Sequence, residues 1–238
     1  MSKFNKIITI IISISLVLAI ILGILTKQSF KTTNVSDEIR NSYTFKQFFT
    51  SVENPEEHIK MQIEDFLSHA EIIAKVRFTG VREHKYHSLL STVDVIEVYK
   101  GDKRYENKQI NVYEQAAFYE KSQVCTSYTN FLPMTENEEY FVFLTKMDYI
   151  DSYQEKLELE EFCIYCGDIG WFRAENKPLP VIKEDTVKYM DVIEYDFLYH
   201  SVSDFNQCME MKNMIMKYFN IDHYFPMFEE LAADYETN

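Results

Sequence analysis

Residues 92–114 read "TVDVIEVYKGDKRYENKQINVYE": an apolar run, a charged turn and a second short apolar run. The turn separates two predicted β-strands, the second around Ile110 and Val112. The first strand does not keep its alternation. Val93 and Val95 fall on one face, whereas Ile96 and Val98 fall on the other. Side chains change face at every residue of a strand, so a switch of buried side requires one extra residue, a β-bulge. Bulges let strands bend sharply enough to close a small barrel or to pass between packed sheets.

Upstream, "AEIIAKVRFTGV" sets Ala70, Ile72, Ala74, Val76 and Phe78 on one face and Glu71, Lys75, Arg77 and Thr79 on the other, the pattern of a half-buried strand. The following "REHKYHSLLS" reads as a polar connection. Downstream, "EEYFVFLTK" (138–146) is apolar on both faces, as expected of a strand covered on both sides. A fifth strand is expected in "KLELEEFCIYCG" (156–167), followed by "GWFRA", before "KPLPV" breaks the pattern. The glutamates 158, 160 and 161 read as a solvated face. The fold class expected is mainly β with flanking helices (α+β), with a five-stranded OB-like barrel at its centre. A small β-sandwich is the alternative.

The chain of 238 residues opens with Lys3 and Lys6, followed by an uncharged run of 19 residues, Ile7 to Leu25. About 20 helical residues cross a bilayer core, so this run predicts an N-terminal transmembrane helix. It lacks the small-residue cleavage site of a signal peptide, and no cysteine follows to accept a lipid. A signal anchor with an extracytoplasmic C-terminal domain is the reading adopted. Every Asp and Glu lies beyond residue 31, and the net charge is −14, so nucleic acid is a poor partner. With 5 Gly in the chain, no Gly-rich phosphate loop is present.

The expected organisation is an anchor over 1–30, a tether over 31–53 with local order at "FKQFF", a barrel domain over 54–183 and a helical extension over 184–238. Asn54, Pro55, Glu56 and Glu57 give the barrel a leading helix: a cap, a fixed φ and negative charge at the positive dipole end. In the extension, Phe205, Cys208, Met211, Ile215 and Tyr218 follow helical spacing, a stripe expected to pack on the barrel.

"SHAEIIAKVRFTGV", "STVDVIEVYKGD", "KQINVYE" and "NEEYFVFLTK" together resemble the netrin-module and tissue-inhibitor-of-metalloproteinase type of OB-fold. The chain is especially similar to versions found in exported proteins and lipoproteins of Gram-positive bacteria. The residues that carry the likeness are Ala70 to Ile73, Val95, Val98 to Gly101, Glu139 and Tyr140, and it covers about residues 68–175. The resemblance implies a fold and an exported location. The inhibitors of this type use an N-terminal Cys at the target's zinc; here no Cys precedes Cys125, so that mechanism is not expected.

Four cysteines, Cys125, Cys163, Cys166 and Cys208, are disulfide candidates in an oxidising compartment, with three connectivities open. The spacing Cys163-x-x-Cys166 also admits a thiol–disulfide redox role, although acidic, strand-like sequence precedes it. A zinc site would need all four cysteines to converge, and His84 and His87 could meet a metal only at a loop. No cofactor or resident metal is expected, and hydrolase signatures are absent from the sequence. The function expected is a non-enzymatic, membrane-anchored binding module at the cell envelope, taking an envelope protein or ligand. The alternative is a redox protein using Cys163 and Cys166, or a zinc-binding envelope protein. By analogy with OB barrels, the binding face is sought at Asp94, Glu97, Tyr99, Tyr113 and Phe118.

Overall fold

The computed structural model describes residues 4, 12–22, 43–47, 67–85, 87–119, 122–127, 132–149, 157–164, 170–175, 186–193, 195 and 201–231. The chain divides into two compact units, Met1–Thr33 and Asn34–Asn238. In the first, residues 12–22 are helical. No helix among the described residues is long and apolar enough to cross a membrane. Residues 7–11 and 23–25 of the expected span lie outside the described residues, as do 54–66 of the expected leading helix, which is seen as a helical turn at 67–69.

The second unit is mainly β. Its strands are β1 (Thr44–Gln47), β2 (Ile72–Lys85), β3 (Ser88–Lys100), β4 (Gln109–Glu114), β5 (Ala116–Tyr119), β6 (Val124–Ser127), β7 (Glu139–Lys146), β8 (Glu161–Ile164), β9 (Trp171–Arg173) and β10 (Thr186–Lys188). Helices α1 (Tyr189–Val192) and α2 (Val202–Tyr218) follow. Two mixed sheets result. The larger runs β2-β3-β4-β8-β7-β9, and β2 also pairs with β7, so the hydrogen bonding returns to its first strand. The pair β4–β8 is parallel; β2–β3, β3–β4, β7–β8 and β2–β7 are antiparallel.

The break in alternation at Ile96 is a bulge. Opposite β2, Lys75 pairs with Glu97 and Val76 with Val95, which leaves Ile96 as the extra residue. Val93, Val95 and Val98 are all buried, so the bulge keeps both halves of β3 facing the core. Ile96 does not join Val98 there; it is half-buried. A fully buried side chain of this size contributes about 1.5–3 kcal/mol. These valines meet Ala74, Val76 and Phe78 of β2 and Ile110 of β4, so the inward stripe dictates the register.

β7 is covered on both sides, as its sequence predicts. Tyr140, Val142 and Leu144 pair with the inward residues of β2. Phe141 and Phe143 point the other way, where both contact Phe172 of β9 at centroid distances of 5.3 and 6.3 Å. Phe205, Cys208, Met209, Met211, Ile215 and Met216 of α2 belong to the same core cluster.

Residues 82–91 depart from the expected polar connection. Arg82–Lys85 continue β2 and Ser88–Ser91 begin β3, so only residues 86 and 87 separate the strands. Leu89 and Leu90 are buried there, and so is a polar network on the inward side. Glu114, fully buried, accepts from Arg82 Nη2 at 2.6 Å, from Arg82 Nε at 3.1 Å, from the Ser91 hydroxyl, and from the Met134 N–H at 2.7 Å. Arg82 also donates to the Met134 carbonyl at 2.8 Å and lies 4.4 Å over the Phe78 ring. An ion pair held this way satisfies every group it buries, which a buried charge requires.

The smaller sheet, β10-β1-β6-β5, draws in strands from both flanks of the expected barrel domain. β1 lies in the expected tether and β10 in the expected helical extension. β1 pairs parallel with β6 and antiparallel with β10. The sheet has its own core of Tyr43, Phe45, Phe118, Cys125, Leu132, Tyr189 and Val192.

Candidate functional site

The outward faces of β3, β4 and β8 carry rows of polar side chains one strand spacing apart. Strand pairing sets Asp94 beside Gln109, Thr92 beside Asn111, Asn111 beside Glu161, and Tyr113 between Cys163 and the buried Leu90, with Thr145 of β7 next to Cys163 in that row. The rows arise from period 2, since every second residue of "TVD" and "QINVY" is apolar and faces inward. Neighbours are hydrogen-bonded. Gln109 Nε2 donates to Asp94 Oδ1 at 3.0 Å, and the Thr92 hydroxyl donates to Asn111 Oδ1 at 2.9 Å.

Glu161 is the most enclosed member, 6% exposed. The hydroxyls of Tyr113 and Tyr149 both donate to its Oε2, at 3.0 and 2.7 Å, and lie 3.3 Å from each other. Glu161 is therefore not the solvated side chain expected from the run of glutamates around it. Burial, then the neighbouring hydroxyl and carboxylate, raises the Tyr149 hydroxyl above the ordinary phenol range. Tyr113 is raised too, chiefly by burial, with Glu161 adding to it and Tyr149 and Lys85 opposing. Both stay hydrogen-bond donors at neutral pH. Burial opposes the charge of Lys85, yet Glu83, Tyr113 and Glu161 together raise its pKa on balance.

Of the five residues expected on a binding face, Asp94 and Tyr113 lie on this surface. Glu97 is exposed beyond the bulge and accepts from the Tyr99 hydroxyl at 2.9 Å. Tyr99 is half-buried, its ring 5.7 Å from both Phe141 and Phe219. Phe118 is buried in the smaller core, edge-on to Tyr43 and Tyr189 at 5.5 and 5.4 Å. The five do not share one surface. Thr92, Gln109, Asn111, Tyr149 and Glu161 complete the face instead; alternation could have found the first three, whereas the contacts of Tyr149 and Glu161 depend on tertiary pairing.

The cysteines are dispersed. Cys125 is buried in β6, Cys163 is half-buried in β8, and Cys208 is buried on α2. No bond joins these three to one another, and Cys166 lies outside the described residues. Burial pushes the Cys125 thiol well up; Arg82 pulls against this and Glu114 adds to it. The Cys163 sulfur donates to the Thr145 carbonyl at 3.6 Å. It sits in a strand, not at the helix N-terminus where redox thiolates are usually stabilised. No group of three or more His, Cys, Asp or Glu able to hold a metal occurs among the described residues. His87 Nδ1 lies 2.6 Å from the Tyr119 hydroxyl.

No protein-family model matches the chain, and no curated protein matches it. What the face offers chemically is hydrogen bonding: amide, hydroxyl and carboxylate groups on rigid strands.

Proposed function

We propose that the chain is a membrane-anchored, extracytoplasmic binding module, non-enzymatic, built on a five-stranded OB-type barrel. The observation that carries this reading is the strand circuit β2-β3-β4-β8-β7 and back to β2, with its one parallel pair between β4 and β8. That count and the bulged β3 suit an OB barrel, whose second and third strands commonly carry the ligand face. The resemblance to netrin-type modules points the same way. The uncharged run 7–25, helical over 12–22, supports the anchor.

The docking face in this reading is the outward side of β3, β4 and β8, centred on Asp94, Asn111 and Tyr113, with Glu161 fixing the Tyr113 hydroxyl from beneath. Rigid strands hold these groups without an ordering cost at binding. The partner is an envelope protein or ligand; the acidic chain makes nucleic acid an unsuitable one. The test compares the full-length protein with an Asp94→Ala/Tyr113→Ala double variant for retention of solubilised envelope components. Retention lost in the double variant, but kept in a Glu83→Ala control, supports the face. Equal retention by all three proteins would remove it.

A further inference from the structure

After α2 the chain turns back along that helix. Asn213 brackets Phe225, donating to its carbonyl at 2.8 Å and accepting its N–H at 2.7 Å. Two turns earlier, Asn206 accepts from the Phe228 N–H at 2.8 Å. These bonds hold residues 219–231 as an arm against α2. Phe225 is the arm's anchor, buried edge-on against Phe172 of β9 at 5.6 Å.

Two nitrogen groups converge on Phe225. Lys212 of α2 is 3% exposed, and its ammonium lies 5.1 Å from the Phe225 centroid and 5.4 Å from that of Phe172. The His223 ring packs against Phe225 at 4.6 Å. Its Nε2 is buried and has no hydrogen-bond partner among the described residues. Of the other charged groups on α2 and the arm whose side chains are described, Glu210, Lys217 and Asp222 are exposed. Glu229 is bonded to Asn206, and Glu230 to Tyr224 and the Met227 N–H. On β9, Arg173 is engaged with Thr135, Glu138 and the Ile193 carbonyl. Among the described groups the charge that acts on His223 is Lys212, and it is of the same sign as the imidazolium.

We propose that the 219–231 arm is an acid-released clasp: protonation of His223 beside the buried ammonium of Lys212 lifts the arm from α2 and uncovers Phe172. The docked arm keeps His223 neutral, because a proton on the buried Nε2 meets no acceptor among the described residues. The released arm gives the imidazolium to water. Burial first, and Lys212 second, hold the docked ring below its ordinary value of 6.5. The docked arm therefore binds fewer protons than the released one, and it loses stability as the pH falls below 6.5. The arm buries Phe225 and packs Phe219, Ile221, Met227, Phe228 and Leu231 against the core, so its release is a local opening that exchanges these contacts for solvent without global unfolding.

The test is hydrogen exchange by mass spectrometry on the full-length chain in detergent, with protection factors compared at pH 7.5 and 5.0. Peptides from 219–231 are expected to lose protection several-fold at pH 5.0, while those from β2 and β7 keep theirs. His223→Phe, neutral and of similar shape, abolishes the pH dependence of the arm. Should that variant lose protection in β2 and β7 as well, His223→Gln serves as the neutral replacement. Arm protection unchanged in the wild type, or lost equally in the wild type and the folded variant, overturns the proposal.

Discussion

Replacement of Glu114 by alanine strands a guanidinium. The Arg82 side chain is only 11% exposed, and two of its nitrogens donate to Glu114. The Ser91 hydroxyl and the Met134 N–H lose the same acceptor. Removing one partner of a buried ion pair typically costs about 3–5 kcal/mol, because the remaining charge is uncompensated. A urea dependence of about 2–3 kcal/mol/M converts that loss to a midpoint about 1–2.5 M lower. Trp171 is the only tryptophan in the chain and is 2% exposed in β9, so its fluorescence reports unfolding of the larger sheet. The double variant Arg82→Met/Glu114→Leu removes both charges, and it is expected within about 1–2 kcal/mol of the wild type. A single variant that costs less than about 1 kcal/mol, or a double variant less stable than the single, would refute the account of this network.

Four other outcomes follow. Gly101 has φ +100°, and a Cβ there would meet the Glu71 carbonyl oxygen at 2.5 Å; Gly101→Ala should therefore cost more than about 1 kcal/mol in the same urea titration. Gly80 also has a positive φ, +84°, but the atoms nearest an added Cβ there belong to the movable Glu136 side chain, so Gly80→Ala should cost less than Gly101→Ala. Ile96→Ser, at the bulge, should cost less than about 1 kcal/mol, against about 2–3 kcal/mol for Val95→Ser or Val98→Ser, since only the valines are buried. Tyr113 and Tyr149 hold their protons more tightly folded than unfolded, so their contribution is complete below pH 10 and is lost as the pH rises above it. Urea midpoints at pH 9 and 11 should show that loss, and Tyr113→Phe should reduce it.

The core stripe was legible because its signal is local. Val93, Val95 and Val98 announce a bulge within six residues, and the double apolar face of β7 needs no partner to be read. The smaller sheet was not legible in that way. Its strands are three or four residues long, too short for alternation to stand out, and β1 meets β6 some 80 residues away. Residues 82–91 look polar because Arg82 is paired inward with Glu114 while Glu83 and Lys85 pair with each other at the surface. The binding face suffered from the same blindness to distance. Asp94 and Tyr113 follow from alternation, whereas the cover over Tyr99 comes from Phe219, and the burial of Phe118 comes from Tyr43 and Tyr189.

The central claim, an envelope module held by residues 7–25 and facing outward, is tested most directly by protease treatment of intact cells followed by mass mapping of carbonate-washed membranes. The Met1-containing peptide is expected to remain with the membrane while external protease removes the acidic domain beyond residue 31. A chain that resists the protease in intact cells, or that leaves the membrane in carbonate, would contradict it.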